Sequence, residues 1–322
     1  MKIVYVLVCS EKDFYYEQAL VSVLSLRHVM PLAHVTLLID DESYDYLQRA
    51  KNDFFNNINE CKVVSFDKGT PGVKKSRYMK TKMRELLKGR LLYVDVDTVW
   101  AEPINEDDFD SDVMAEYDFN CVFSKNILKE WIVCQCKKAS LLLKSDEYYN
   151  GGVMYYADSK VAYDFSKTWA KTWAESCKKG VLFDQPSLNY TNEKMGLVIK
   201  RMPSFYNVQL GFSLRYFCDA KIIHYFATDD EKKMFGNPYH FKQESFWENV
   251  KKVGISDDVL KDIYNPKQAF DNFFIMQNQE ALNFIRNPLV GLLLDVIRSK
   301  KWYTRYIRKF LYCFVSLLSA KK

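Results

Sequence analysis

Apolar runs alternate with helical patterns over the first hundred residues of the chain. Residues 3–9 form a continuous apolar, β-branched run, which is typical of a strand buried on both faces. Residues 16–29 then place apolar side chains on one side of a helix, and Pro31 ends it. Further strands are predicted at 34–39, 61–66 and 90–95, with helices at 42–54 and 76–88 between them. This alternation predicts an α/β fold, a mostly parallel sheet with helices on both faces, whose ligands bind beyond the carboxyl ends of the strands.

The pattern changes after this array, which suggests how the chain is divided. Asp158 is predicted to cap a helix over 162–177, and Asp184 to begin another, with Pro186 in its first turn. Further strands are predicted at 151–156, 197–202 and 221–226. Beyond residue 230 the pattern is helical and polar. We therefore predict a catalytic sheet domain at 1–230, a helical extension at 231–287 and a separate tail at 288–322.

Two acidic residues follow the strand predicted at 90–95. Asp95 and Asp97 are two residues apart, so in an extended chain both carboxylates point to one side. Their repulsion would be relieved by a divalent cation, and oxygen ligands suit Mg²⁺ or Mn²⁺. His224 ends another apolar strand and could supply a nitrogen ligand, with His240 as a weaker rival. The alternative is that Asp97 caps a turn, Asp95 is solvated and His224 is a core histidine.

The net charge of +5, from 46 basic and 41 acidic residues, is unevenly distributed. Residues 296–322 carry eight basic and no acidic side chains, so the remainder has a net charge of −3. Apolar residues from 302 to 318 recur at helical spacing beside a basic stripe, a pattern typical of a helix at an anionic membrane surface. We expect residues 298–320 to bind such a surface. The alternative is packing on the catalytic domain or on a second copy, which would give a homodimer. Nucleic acid is not an expected partner.

The eight cysteines are scattered and include no CxxC pair, so neither a disulfide framework nor a zinc site is expected. The first apolar run is too short for a signal peptide, and no run reaches the ~20 residues of a membrane span. These features predict a cytoplasmic protein that is peripheral on the inner face of the cell membrane.

Five segments, in order, resemble the retaining glycosyltransferases of family eight, the glycogenin and lipopolysaccharide galactosyltransferase type, which have a GT-A fold. The segments are the opening strand with Asp13-Phe-Tyr15 and the following helix, Thr81-Lys82 with the Asp95-Val-Asp97 motif, Asn150-Gly-Gly152, Phe183-Asp184-Gln185, and Ile223-His224. They extend over residues 1 to about 230. The resemblance implies a sugar transferase with a Rossmann-like sheet.

The resemblance also implies a role for each matching residue. Asp95, Asp97 and His224 would hold Mn²⁺ (or Mg²⁺) against the diphosphate of a UDP-sugar. Asp184 and Gln185 would lie at the anomeric carbon as catalytic residues. Further donor contacts would come from Cys9, Ser10, Tyr15, Lys82, Asn150 and Gly152. Lys232 or Lys233 would replace a family lysine that contacts phosphate, although the acidic run at 229–231 departs from the family pattern. Local alternatives are a solvated Lys82, a turn at Asn150 and a helix cap at Asp184.

Together these features predict a metal-dependent retaining transferase that moves a hexose from a UDP-sugar to a glycan acceptor. A membrane-surface tail favours a lipid-linked acceptor, as in surface polysaccharide or lipopolysaccharide assembly. Two alternatives use the same residues differently. One is a nucleotidyltransferase with the same sheet and carboxylates, although no Gly-rich basic loop follows the first strand. The other is a non-catalytic protein recruited to membranes.

Overall fold

The computed structural model describes residues 1–210, 214–226 and 238–271, together with positions 288–290, 296, 302, 304–307 and 309–310. Two compact units are distinguished, Met1–Asp271 and Asn272–Lys322. Lys232 and Lys233, and most of the tail predicted to bind membranes, lie outside the described residues.

A mixed sheet forms the centre of the first unit. Its seven strands, among the described residues, are β1 (Lys2–Leu7), β2 (His34–Asp40), β3 (Glu60–Val64), β4 (Leu91–Val94), β6 (Val113–Tyr117), β7 (Tyr149–Tyr156) and β8 (Ile199–Arg201). They are arranged in the order β3-β2-β1-β4-β7-β6-β8, and β7 runs opposite to the others. The chain reverses its lateral direction between β1 and β4, which is where ligands bind in open α/β sheets. The predicted fold class is confirmed.

Helices cover both faces of this sheet. Those in the described part of the chain are α1 (Tyr15–Val29), α2 (Asp41–Ala50), α3 (Gly72–Thr81), α4 (Met83–Leu86), α5 (Lys129–Ala139), α6 (Lys160–Lys178), α7 (Gln185–Lys194), α8 (Glu244–Val253) and α9 (Asp257–Tyr264). Along β1, Ile3 and Tyr5 face the core shared with α1 and α2. Val4 and Val6 face the core shared with α3, α4, α6 and α7. The continuous apolar pattern of β1 therefore reflects burial on both faces.

A smaller sheet lies beside the first and carries part of the candidate site. Its described strands are β5 (Thr98–Trp100), β9 (Val208–Gln209) and β10 (Ile222–His224), in the order β5-β10-β9. Buried hydrogen bonds connect β5 to β1 and α1. The Trp100 indole donates to the Tyr5 hydroxyl at 2.9 Å, and Ser22 lies 3.0 Å from Tyr5 and 2.9 Å from Thr98. Because every member of this buried chain is paired, it fixes the position of β5.

Residues 238–271 pack within the first unit. Buried side chains of α8 and α9, including Trp247 and Ile263, share a core with β9 and β10 of the smaller sheet. The predicted division at 230 and 287 stays a prediction. None of the helices formed by the described residues is long and apolar enough to cross a membrane.

Two local expectations were wrong. Asp158 does not cap α6, because Ser159 holds that position and its hydroxyl accepts the Ala162 amide at 3.2 Å. Asp158 instead pairs with Arg84. The helix predicted over 76–88 begins at Gly72 and is interrupted at Lys82, giving α3 and α4.

An ion pair in the C-terminal part of the first unit makes its stability depend on pH. His240 Nδ1 lies 2.7 Å from Asp262 on α9, and Nε2 lies 3.4 Å from Asp271. The hydrogen bond to Asp262 raises the pKa of His240 above its ordinary value, more than burial lowers it. A histidine pKa that is raised in the folded state stabilises the protein below its unfolded pKa, and this stabilisation is lost as the pH rises through the folded pKa.

Asp262→Asn is therefore expected to destabilise the protein more at about pH 6 than at about pH 8.5, since only protonated His240 benefits from the carboxylate. Urea unfolding of both proteins at the two pH values measures the difference. Asp258→Asn, at an exposed position on the same helix, is the control and should show a similar effect at both. Equal destabilisation by Asp262→Asn at the two pH values would contradict the ion pair.

Candidate active site

The segment Asp95-Val96-Asp97 joins the two sheets. The Asp95 amide donates to the Gly152 carbonyl at 2.7 Å, which continues the pairing of β4 with β7. The Asp97 carbonyl accepts the Tyr225 amide at 3.2 Å, just beyond β10. The Thr98 hydroxyl donates to the Asp95 carbonyl at 2.8 Å and closes the turn. Each carboxylate is thus attached to a different sheet, and the fold brings both to one edge.

His224 completes a cluster with these two carboxylates. One potential ligand atom from each of Asp95, Asp97 and His224 lies within 4.8 Å of the others. His224 is buried, and its Nε2 lies 3.3 Å from Asp97 Oδ1. The oxygen and imidazole donors suit Mn²⁺ or Mg²⁺. His240, the rival candidate, pairs with Asp262 instead.

A chain of side-chain amides determines which nitrogen of His224 faces the cluster. The Gly152 backbone amide donates to Asn150 Oδ1 at 2.8 Å, so this atom is the amide oxygen. Asn207 Nδ2 also donates to Asn150 Oδ1, at 3.1 Å, and Asn207 Oδ1 therefore faces His224 Nδ1 at 3.1 Å. Nδ1 must then carry a proton, and in the neutral imidazole Nε2 would present its lone pair towards Asp97. Two acceptors 3.3 Å apart need a cation or a proton between them, so the cluster fits a metal ion.

Gly152 allows His224 to reach this position. A β-carbon on Gly152 would lie 2.1 Å from His224 Cε1 and 2.9 Å from Asn150 Oδ1. No larger residue fits unless the imidazole moves, because real contacts are never this short. The neighbouring Gly151 differs, since its added β-carbon would have its nearest contact at 3.5 Å, on Leu188. The close approach of β7 to β10 therefore requires glycine at position 152. Position 151 would accommodate a β-carbon.

Two basic residues from α3 lie among the carboxylates. Lys80 Nζ is 3.2 Å from Asp95 and 3.7 Å from Asp184, and Arg77 Nε is 2.9 Å from Asp184. Tyr93 adds a hydroxyl hydrogen bond to Asp95. Burial would raise the pKa of Asp184, but the charges of Arg77 and Lys80 outweigh it and hold the pKa below its ordinary value. Asp184 is therefore an ionised carboxylate, and Lys80 connects it to Asp95 of the candidate cluster.

Asp184 occupies the position before α7, but its side chain makes no capping hydrogen bond. The cap function expected of this residue is thus absent, and its carboxylate is directed to the α3 cations instead. Gln185 is buried beside it, with its side chain near enough to Asp118 to lower the pKa of that carboxyl.

Asp118 lies at the centre of a buried polar network. It directly follows β6 and accepts Asn150 Nδ2 at 3.0 Å and Asn126 Nδ2 at 2.9 Å. Burial raises the pKa of Asp118, and the side chains of Asn150, Asn126 and Gln185 partly offset this. Asp118 thereby connects Gln185 to Asn150, and through Asn150 and Asn207 to His224. A change in the position or charge of one of these side chains would therefore affect the orientation of the others.

The predicted donor contacts Cys9 and Ser10 lie in the loop after β1, and Tyr15 begins α1. Cys9 is buried, and its backbone amide donates a hydrogen bond to the Ser43 hydroxyl at 2.8 Å. The Ser10 hydroxyl donates to Asp13 at 2.7 Å, and Lys251 of α8 donates to the Asp13 carbonyl at 2.8 Å. Tyr15 is 52 % exposed, which leaves its ring available for stacking. The loop lies at the same sheet edge as Asp95, because β1 and β4 are parallel neighbours.

Lys82 is not the lysine that the structure brings to the carboxylates. Its ammonium lies 4.9 Å from the centre of the Tyr78 ring, whereas Lys80 contacts Asp95 and Asp184. The donor contact expected of Lys82 stays a prediction. That of Lys232 also stays a prediction, because this residue is outside the described part of the chain.

Comparison with known families identifies the chain. A family model described as nucleotide-diphospho-sugar transferase matches residues 33–246, about two thirds of the sequence. The chain belongs to this family. It is a glycosyltransferase of the family-eight type, as the resemblance predicted, and the nucleotidyltransferase and non-catalytic alternatives are not supported. A search of curated protein sequences gave no match.

Two solved structures support the GT-A fold of the transferase. An active-site mutant of LgtC is 14 % identical, with a TM-score of 0.50, over 80 % of this chain and 98 % of LgtC. The bifunctional glycosyltransferase WbbM in its apo form is 15 % identical, with a TM-score of 0.51, over 82 % of this chain and 51 % of WbbM. The transferase thus spans about half of WbbM.

Several site residues were not predicted from the sequence. Arg77 and Lys80 are three residues apart on α3 and so share a helix face, a signal that could have been noticed. Asp118 follows the end of β6 as Asp95 follows β4, and the same rule about strand ends applies to it. Asn207 had no such signal, because its position depends on the pairing of β9 with β10.

Gly152→Ala is expected to displace His224 and weaken Mn²⁺ binding by at least about tenfold, since one ligand and its orienting amides are disturbed. Binding of Mn²⁺ is measured by titration calorimetry or electron paramagnetic resonance, with circular dichroism as a check on folding. Gly151→Ala is the matched control, because its added methyl group makes ordinary contacts, and it should bind Mn²⁺ like the unaltered protein. Normal Mn²⁺ affinity in folded Gly152→Ala would contradict the steric argument.

Proposed function

We propose that the transferase uses a divalent metal to move a hexose from a UDP-sugar to a glycan acceptor with retention of configuration. The observation that supports this best is the cluster of Asp95, Asp97 and oriented His224, with ionised Asp184 next to it. Mn²⁺ (or Mg²⁺) at this cluster would neutralise the negative charge that develops on the diphosphate leaving group.

Residues of the chain perform the remaining tasks in this proposal. Three carboxylates, Asp95, Asp97 and Asp184, lie around the two basic residues Arg77 and Lys80, which leaves a surplus of negative charge for a divalent ion to balance. Lys80 is positioned to share the diphosphate charge with the metal. An enzyme that places such fixed charges beforehand spends no free energy on reorganising them during the reaction.

The sugar pocket is proposed to lie between Asn150, Gly152 and the Asp184-Gln185 pair. The amide of Asn150 is held in one orientation by Gly152, Asn207 and Asp118, so it presents a rigid wall. Asp184 and Gln185 remain the proposed catalytic residues. The pairing of Asp184 with Arg77 and Lys80 favours an electrostatic role, since a carboxylate engaged by two cations is a weaker nucleophile.

Asp95→Asn and Asp97→Asn are each expected to lower UDP release from the preferred UDP-sugar by at least about 10³-fold, since a metal supplies several kcal/mol and each 1.36 kcal/mol is a factor of ten. A panel of UDP-sugars with Mn²⁺ is assayed by coupled detection of UDP, and chelation by EDTA should abolish turnover reversibly. Asp110→Asn, on an exposed acid paired with Lys200, is the control and should keep full activity. Full activity in metal-free buffer would exclude metal dependence.

The acceptor is proposed to be lipid-linked, and residues 298–320 to bind the anionic inner surface of the cell membrane. Three described aromatic residues of this tail, Trp302, Tyr306 and Phe310, are exposed by 76, 66 and 68 %. Their spacing of four places them on one side of a helix, and the described residues around them are helical. Aromatic side chains beside a basic stripe suit the interface of an anionic bilayer.

Replacing Trp302, Tyr306 and Phe310 together by alanine in the full chain is expected to lower binding to phosphatidylglycerol-containing vesicles by at least about tenfold, because buried apolar area supplies most of this affinity. Co-sedimentation measures the bound fraction. A control triple variant replaces three exposed apolar residues of the first unit, Leu32, Leu142 and Tyr163. If both variants bind vesicles to the same extent as the unaltered chain, the tail is excluded as the anchor.

A further inference from the structure

A cavity of about 210 Å³ lies in the first unit, beside the loop that follows β6 and contains Asp118. It is lined chiefly by Phe119, Lys125, Ile127, Val208, Arg215 and Tyr216. At ~30 Å³ for each water molecule, this volume holds about seven waters, and it is below the ~300 Å³ at which sites for drug-sized ligands begin. The cavity therefore suits one sugar ring or one end of a longer molecule.

The wall of the cavity is rigidly connected to the candidate active site. Phe119 and Asn120 have left-handed φ angles of 52° and 53°, an unfavourable backbone that surrounding bonds must hold. The Phe119 amide donates to the Gln209 side chain at 2.7 Å, and the Gln209 amide donates to Asn120 Oδ1 at 3.0 Å. These bonds attach the loop to β9, two residues from the Asn207 that orients His224.

Aromatic rings lead from the cavity to the metal cluster. The ring centre of Phe119 is 5.6 Å from that of Phe226, which is 4.4 Å from that of His224. Phe119 directly follows Asp118, whose carboxylate bonds to Asn150 within the site. Adjacent residues thus face the cavity and the sugar pocket, and a molecule in the cavity would be next to the proposed donor sugar.

The chemistry of the cavity indicates its ligand. Two cations, Lys125 and Arg215, contribute to the lining, and none of the described residues that line it is acidic. Among the described residues Lys125 has no carboxylate within ion-pair distance, since the nearby Asp146 bonds to the Ser124 amide and hydroxyl. The Phe119 ring suits the apolar face of a sugar ring, and the Arg215 guanidinium lies 5.1 Å from the centre of the Tyr216 ring. Cationic and aromatic groups together favour a saccharide that carries a negative charge.

We propose that this cavity is the acceptor subsite and that it selects an acceptor sugar bearing an anionic group, a phosphate or a carboxylate. This rests on the proposed transfer from a UDP-sugar, and adds the charge of the acceptor and the residues that recognise it. Lys125 and Arg215 bind the anion, and Phe119 positions the ring beside the donor pocket.

The test compares three probes that share one hexose. Methyl glucoside is neutral, methyl glucuronide carries a carboxylate and glucose 1-phosphate carries a phosphate. Each is titrated calorimetrically into the full chain with saturating UDP and Mn²⁺, so that anions cannot occupy the diphosphate site. We expect one anionic probe to bind at least about tenfold more tightly than methyl glucoside, in line with a charge-assisted hydrogen bond. The preferred anion identifies which of the two groups the acceptor carries.

Substitutions test whether the preference for an anionic probe arises in the cavity. Lys125→Ala and Arg215→Ala should each remove most of it, and Lys125→Arg should keep it because the charge is retained. Lys137→Ala, on α5 at an exposed position outside the cavity lining, is the matched control and should behave like the unaltered chain. Equal or absent binding of the three probes, or a preference unchanged by both alanine variants, would overturn the proposal.

The proposed function is tested separately by the same preparation. UDP binding with Mn²⁺ is measured first, without any probe. A chain that does not bind UDP contradicts the proposed function, whereas a chain that binds UDP but shows no anion preference contradicts only the acceptor subsite.

Discussion

The contact between Gly152 and His224 is the constraint on which the site depends. It brings β10 of the smaller sheet against β7 of the larger one, so closely that a β-carbon would overlap the imidazole. The consequence is that Asp95, attached to β7, and Asp97, attached to the β10 side, share one cluster with His224. The buried bonds from Trp100 and Tyr5 through Ser22 hold the smaller sheet in this place from its other side. The candidate metal cluster is thus assembled where the two sheets meet.

Electrostatics explains why this edge of the sheet collects opposite charges rather than carboxylates alone. Buried acidic groups are costly unless they are paired. Arg77 and Lys80 pair with Asp184 and Asp95, while Asn150 and Asn126 donate to Asp118. These bonds compensate the acids only partly, which is what a site for a cation and a diphosphate requires. Stability and the proposed function therefore make compatible demands on the same side chains.

The sequence predicted the larger sheet well because its information is local. Continuous apolar strands and amphipathic helices at the predicted places correspond to β1 to β4 and to α1 and α2 within a few residues. Strand ends and family resemblance also predicted Asp95, Asp97 and His224, which the structure brings together in one cluster. Lys82 was predicted from its place in the family motif, whereas the structure brings Lys80 of α3 to Asp95 and Asp184. Asn207 depends on a pairing between distant strands of two residues each, which no local pattern reveals.

The loop after β6 shows how one backbone feature can separate two binding functions. Asp118 and Phe119 are consecutive, yet the carboxylate bonds inward to Asn150 while the ring lines the cavity. The left-handed φ angles at Phe119 and Asn120 turn the chain at this point, and the bonds to Gln209 maintain them. Gln209 belongs to β9, and β9 begins directly after Asn207. The wall of the proposed acceptor cavity and the orientation of His224 therefore both depend on the position of β9. A shift of β9 would alter the proposed donor and acceptor pockets together, and the relative placement of the two sugars is consequently a property of the smaller sheet.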